Sequence, residues 1–128
     1  MSEENVGLAK QAFRAWEQHG VNGVLAFVSE HVEYRPADEP PLHGREAVRG
    51  YHERWFEPLE DYGIGTTEFL DAGDKLVVGM FVKGRGKGSG VEVSLRYRNV
   101  FWVEEGKAVR WVEFLDREDA LEAAGLRE

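Results

Sequence analysis

The chain has 128 residues, 42% of them hydrophobic, which suits one domain built on one core. Its formal net charge of −8 argues against nucleic acid and anionic membrane as partners, because phosphate recognition needs clustered Lys and Arg. The absence of cysteine excludes disulfides and thiolate chemistry.

No apolar run approaches the roughly 20 residues that span a bilayer. The acidic start Met1-Ser2-Glu3-Glu4 does not read as a signal or transit peptide. A single domain over residues 1–128 in the cytoplasm is therefore expected. In chain order, residues 4–18 read as an amphipathic helix with Val6, Ala9, Phe13 and Trp16 on one stripe, stopped by His19-Gly20. A short second helix follows, with Val21, Val24, Leu25 and Val28 on one face. His31 to Pro36 reads as a strand with Val32 and Tyr34 on one side, and Ala37 to His43 as a loop broken by prolines and acids. Gly44 to Leu59 forms a third helix with the stripe Val48, Tyr51, Trp55 and Leu59, and Pro58 distorts or ends its last turn.

The second half is strand-like. Asp61 to Asp71, Lys75 to Arg85, Val91 to Glu104 and Lys107 to Leu115 are the predicted strands, with Gly73-Asp74 and Glu105-Gly106 as tight turns between them. Asp116 is the expected N-cap of a closing helix, and Gly125 its C′ residue. The string Gly84-Arg85-Gly86-Lys87-Gly88-Ser89-Gly90 invites a phosphate-loop reading. It lacks the Walker spacing and precedes a strand rather than a helix, so a hairpin tip is expected.

Two or three helices with one strand among them, then a long antiparallel meander, is an informative order. Val32-Glu33-Tyr34 precedes a Pro-rich loop and Gly44-Arg45-Glu46-Ala47-Val48; Asp71-Ala72-Gly73-Asp74 leads into Leu76-Val77-Val78; Phe114-Leu115-Asp116-Arg117 precedes Ala120-Leu121-Glu122-Ala123-Ala124-Gly125-Leu126. Over almost its whole length the chain resembles a SnoaL-like protein of the nuclear-transport-factor-2-like superfamily. The resemblance implies a cone-shaped α+β fold: a strongly bent, mostly antiparallel sheet on three N-terminal helices, with a short C-terminal helix. It also implies a blind apolar pocket on one sheet face and an opposite face free to form a homodimer. The fold hosts isomerases, cyclases, hydrolases, dehydratases and non-catalytic binders, so it does not by itself choose a function.

The ketosteroid-isomerase type of site uses a carboxylate base and two proton donors. The positions that the resemblance assigns to them carry Arg35, Phe13, and Arg98 or Asn99. None is of the expected type, which argues against that mechanism. An Arg-x-Asp pair, as in limonene epoxide hydrolases, is likewise replaced by Arg96-Tyr97-Arg98.

Alternation supplies other candidates. In the strand 91–104, Val93, Leu95, Tyr97, Asn99, Phe101 and Val103 share the expected inner row, with Val91 at its start. Asn99 is its one strongly polar member; it either orients a ligand or meets a backbone partner. Arg96, Arg98, Val100 and Trp102 form the outer row, the expected dimer surface. In the last strand Val109, Trp111, Glu113 and Leu115 share a row. Glu113 buried there would have a raised pKa and exchange protons, and the resemblance implies a cyclase carboxylate from this region. The alternatives are solvent, or an arginine across a dimer interface. His52, at the edge of the third helix's stripe, is a second acid/base candidate. His19, His31 and His43 show no ligand spacing with it, so no metal is expected. Tyr34, Tyr51, Trp55 and Phe69, with Met80, Tyr97 and Trp111, are the bulky residues expected to enclose a ligand. The expected function is proton transfer on a small hydrophobic molecule without a cofactor. A non-catalytic ligand-binding or dimerisation domain is the alternative.

Overall fold

A computed structural model describes residues 2–126; Met1, Arg127 and Glu128 lie outside the described residues. The elements run α1 (Ser2–His19), α2 (Val21–Leu25), β1 (Val28–Arg35), β2 (Leu42–His43), α3 (Arg45–Phe56), β3 (Leu59–Ala72), β4 (Lys75–Gly86), β5 (Glu92–Glu104), β6 (Lys107–Phe114) and α4 (Arg117–Ala123). The strands form one six-stranded sheet in the order β2-β1-β6-β5-β4-β3. All neighbours are antiparallel except β1 and β6. The fold is thus the α+β arrangement of helices on a mostly antiparallel sheet that the sequence implied.

Turn chemistry sets the hairpins. Glu105 (φ 50°) and Gly106 (φ 77°) both sit at positive φ between β5 and β6, as a type I′ turn requires. Gly44 precedes α3 at φ 89°, a conformation that favours glycine, and its N–H donates to the Val32 carbonyl at 2.8 Å. At Gly23 the constraint is space, since a Cβ would lie 2.4 Å from the Ala15 backbone carbon where α2 crosses α1.

Two boundaries differ from the periodicity. Val28 begins β1 rather than ending α2, and Leu59 begins β3 because α3 stops at Phe56, two residues before Pro58. Both residues are buried and apolar, so either element would have accounted for their burial. The segment 37–43 ends in the two-residue β2, which pairs with β1 through Glu33↔His43 and Tyr34↔Leu42. A bulge in β6 changes one row. The ladder pairs Trp102 with Arg110 and Val103 with Ala108, leaving Val109 as the extra residue. Ala108, not Val109, therefore joins Trp111 on the buried side.

The main core lies between α1, α3 and the inner sheet face, with Phe13, Trp16, Val32, Val48, Phe101 and Trp111 at its centre. A second, small cluster lies on the other face. There α4 covers Val77 and Val100 with Ala120 and Ala124, and Trp102 packs against them. The outer face is thus partly closed by the chain's own C-terminal helix, which the expectation of an open dimer face did not include. Asp116 caps α4, its carboxylate accepting from the Glu118 N–H at 2.8 Å. Gly125 at φ 77° closes it, with the Leu126 N–H donating to the Leu121 carbonyl at 2.9 Å.

Candidate functional site

A cavity of about 220 Å³ opens between α3, the loop after β1 and the inner face of β4, β5 and β6. Each element contributes by its own period. In α3, Tyr51, His52 and Trp55 lie within one turn and face the sheet. In β5, Tyr97 and Leu95 share the inner row; β6 supplies Glu113, and Leu115, just past its end, lines the cavity as well. The 37–38 segment supplies Asp38 at the rim, beside Leu115, which is 60% exposed.

Glu113 brings a largely buried carboxyl group to this cavity. Tyr34 Oη donates to its Oε2, and the Ala37 N–H donates to Oε1 at 3.3 Å. Burial pushes its pKa up to about 7; the bonds from Tyr34 and Ala37 oppose that rise, and the nearby Asp38 carboxylate adds to it. Part of the Glu113 surface stays open, and that part lines the cavity.

His52 stands behind this pair. Its Nδ1 lies 2.8 Å from the Val48 carbonyl oxygen, which can only accept, so Nδ1 carries the proton. Burial pushes its pKa down to about 4, leaving the ring neutral and Nε2 an acceptor. Nε2 lies 3.5 Å from Tyr34 Oη, and the two rings stack with centroids 5.5 Å apart. Tyr34 has one proton for two acceptors, the Glu113 carboxylate and His52 Nε2. Burial and the neighbouring Glu113 hold the Tyr34 pKa well above the ordinary phenol range.

Two further tyrosines face the carboxylates. Tyr51 Oη donates to Asp38 Oδ1 at 2.5 Å, and burial together with that bond raises its pKa. Tyr97 is raised by burial and by Glu113. It lines the cavity at 7% exposure, and its hydroxyl has no hydrogen-bond partner among the described residues.

Of the residues proposed from sequence, Glu113, His52, Tyr51, Trp55 and Tyr97 line this cavity, and Tyr34 reaches it through Glu113. The rest lie elsewhere. Asn99 is fully buried in the core, accepting from the Trp111 indole N–H at 2.9 Å and placing its amide 2.8 Å from the Met80 sulfur. Met80 and Trp111 are closed into the same core, and Phe69 packs edge-on against Phe13 at 6.3 Å. Asp38, Phe56, Val82, Leu95 and Leu115 line the cavity without having been singled out. The inner-row alternation marked Leu95, whereas Asp38 belonged to an aperiodic loop that carried no signal. Among the described residues no group of three or more His, Asp or Glu could hold a metal ion, and no helix is long and apolar enough to cross a membrane.

The family profile described as SnoaL-like domain matches residues 9–111. No curated protein matches the chain in sequence. Solved structures match its fold. An NTF2-like protein of unknown function from Burkholderia pseudomallei superposes with a TM-score of 0.77 at 19% identity, covering 93% of this chain and 95% of its own. A candidate SnoaL-like polyketide cyclase from Jannaschia sp. CCS1 gives 0.77 at 18% identity, covering 99% of this chain and 94% of its own. A candidate polyketide cyclase from Xanthomonas campestris pv. campestris gives 0.74 at 18% identity, covering 96% and 98%. At such identities the likeness is one of fold.

Proposed function

The chain belongs to the SnoaL-like domain family, and from that premise we propose that it is a small-molecule enzyme of the isomerase or cyclase kind, acting on a hydrophobic substrate by acid/base proton transfer. The observation that carries this is Glu113, a carboxyl group poised near neutrality beside an apolar cavity and held by Tyr34 and the Ala37 N–H. A base with a pKa near the working pH is present in both forms, so one group can take a proton and return it. The Glu113 carboxylate removes a proton from an acidic C–H and becomes the acid. It then delivers that proton to another atom of the same substrate, and the enzyme ends as it began.

The other residues have supporting roles on this reading. Tyr34 positions the carboxyl and, when Glu113 is protonated, turns its own proton toward His52 Nε2. His52 therefore acts through Tyr34 rather than on substrate. Tyr97 offers the free hydroxyl that a developing oxyanion needs. No step calls for a cofactor. The uncovered part of the outer sheet face, with Arg96 and Arg98, is proposed to pair two copies of the chain; Arg98 Nε lacks a hydrogen-bond partner among the described residues.

The test is proton transfer itself. Enolisable ketones and 1,3-dicarbonyl compounds, incubated with the protein in D₂O, should exchange their α-protons faster than in buffer, read by NMR. Glu113→Gln should abolish the acceleration. Binding without accelerated exchange across such a panel would support a non-catalytic binding domain instead. Light scattering that gives a monomer mass at micromolar concentration would remove the dimer.

A further inference from the structure

The polar groups around the cavity are unbalanced in sign. Asp38 and Glu113 are carboxyl groups, and Tyr51, Trp55 and Tyr97 are aromatic, while none of the described lysines or arginines lines it. The nearby cations are engaged elsewhere: Arg54 pairs with Glu39 at 3.9 Å, and Arg35 with Glu33 at 2.7 Å. The protein as a whole carries a net charge of −8, which adds a long-range field of the same sign. The donors of the site are mostly spent, since Tyr34 serves Glu113 and Tyr51 serves Asp38. Among the described residues, Tyr97, nine-tenths buried, is the cavity tyrosine whose hydroxyl keeps no partner.

An anionic ligand would meet two carboxyl groups and no compensating cation. A neutral ligand would leave the repulsion between Asp38 and Glu113 in place. A cation relieves it, and aromatic faces attract a cation further through their quadrupoles. We propose that the cavity takes a small substituted ammonium compound that also carries one hydrogen-bond acceptor: the ammonium group lies among Asp38, Tyr51, Trp55 and Glu113, and the acceptor receives the Tyr97 hydroxyl. The proposal rests on this cavity being the ligand site and names the charge of the ligand it selects. Apolar substituents on nitrogen fit the remaining walls, Val82, Leu95 and Leu115.

Coupling to protons follows from the geometry. The groups facing Glu113 are Tyr34 from β1, Asp38 from the following loop, Tyr51 and His52 from α3, and Tyr97 from β5. The tyrosines and His52 are uncharged near neutrality, because burial raises the former and lowers the latter. Glu113 is then the group that changes charge around pH 7, and a cation binds best once it has lost its proton.

Choline and its uncharged isostere 3,3-dimethylbutan-1-ol, in which carbon replaces nitrogen, separate charge from shape. Both are titrated into the full chain by calorimetry at pH 6 and pH 8. Choline should bind at least tenfold more tightly than the alcohol at pH 8, and its own affinity should rise by up to about tenfold between the two pH values. Glu113→Gln should erase that rise, and Asp38→Asn, on an exposed loop, should weaken choline without moving the alcohol. Equal or tighter binding of the alcohol, or no binding of choline, overturns the proposal. Tight alcohol binding that improves toward pH 6 would overturn it while leaving the acid/base reading of Glu113 intact, whereas absent α-proton exchange would do the reverse.

Discussion

Asn99 and Glu113 are direct partners in the β5–β6 ladder and point to the same side of the sheet. Asn99 is closed into the core, its carbonyl taken by the Trp111 indole and its amide by the Met80 sulfur. Glu113, one rung across, is held on one side by Tyr34 and Ala37 and has the cavity on the other. Both are polar residues in apolar rows, and sequence alone treats them alike. The difference is whether the neighbouring volume is filled. Trp111 and Met80 fill it around Asn99, so that side chain contributes to stability. Beyond Glu113 the strand runs out toward the rim and Leu115, and the volume stays empty, which leaves that side chain facing the cavity.

The largest break in this comparison is Glu113→Gln. The shape is kept and the titrating group removed, so turnover should fall by roughly a hundredfold or more. The variant should match the parent's urea midpoint near pH 4.5 and exceed it at pH 7 and above, where the parent carries the cost of ionising a buried carboxyl. Proton-exchange rates and urea midpoints measured together check both halves.

The matching change across the ladder is Asn99→Leu. It leaves the buried Trp111 N–H without an acceptor and should cost about 2 kcal/mol of stability. Cavity ligands should still bind. A variant that kept its stability but lost binding would reverse the roles assigned here to the two residues.

Tyr34→Phe is a smaller, sharper change. It removes the hydroxyl that holds the Glu113 pKa down, so the acidic limb of the pH–rate profile, which reports the carboxylate base, should move to higher pH, with about 1 kcal/mol lost in stability. A profile that stayed in place while activity fell would make Tyr34 a packing residue.

The smallest expected effect is in stability against pH. Glu113 has its folded pKa raised from 4.5 to about 7, so its contribution is complete below pH 4.5 and is lost as pH rises through 7. His52 has its folded pKa lowered from 6.5 to about 4, so its contribution is complete above pH 6.5 and is lost as pH falls through 4. Relative to Glu113→Gln, urea midpoints of the parent should therefore decline between pH 4.5 and about 7 and run parallel above that. Parallel midpoints over the whole range would show that Glu113 is solvated in solution.

Much of the fold was legible in the residues. Trp16 and Phe13 at helical spacing, Glu105-Gly106 between two strand-like runs, and Asp116 before Arg117 each express a local rule that the structure obeys. Less of the site was legible. Tyr51, Trp55 and Tyr97 were found by amphipathic spacing, which identifies inward-facing residues and cannot say whether a neighbour fills the space in front of them. Phe69, Met80 and Trp111 fitted the same pattern and lie in closed core. The bulge at Val109 shifted a row that simple alternation had placed one residue off.

What the chain determined by itself was the order and kind of its elements, because apolar period, turn residues and caps act over a few neighbouring positions. The tertiary structure alone decided that Tyr34, Asp38 and His52 surround Glu113, residues 79, 75 and 61 positions away along the chain by difference of their numbers. It also decided that α4 closes part of the outer face. Those are contacts between distant segments, and their chemistry depends on burial and on empty volume, quantities that no local pattern contains.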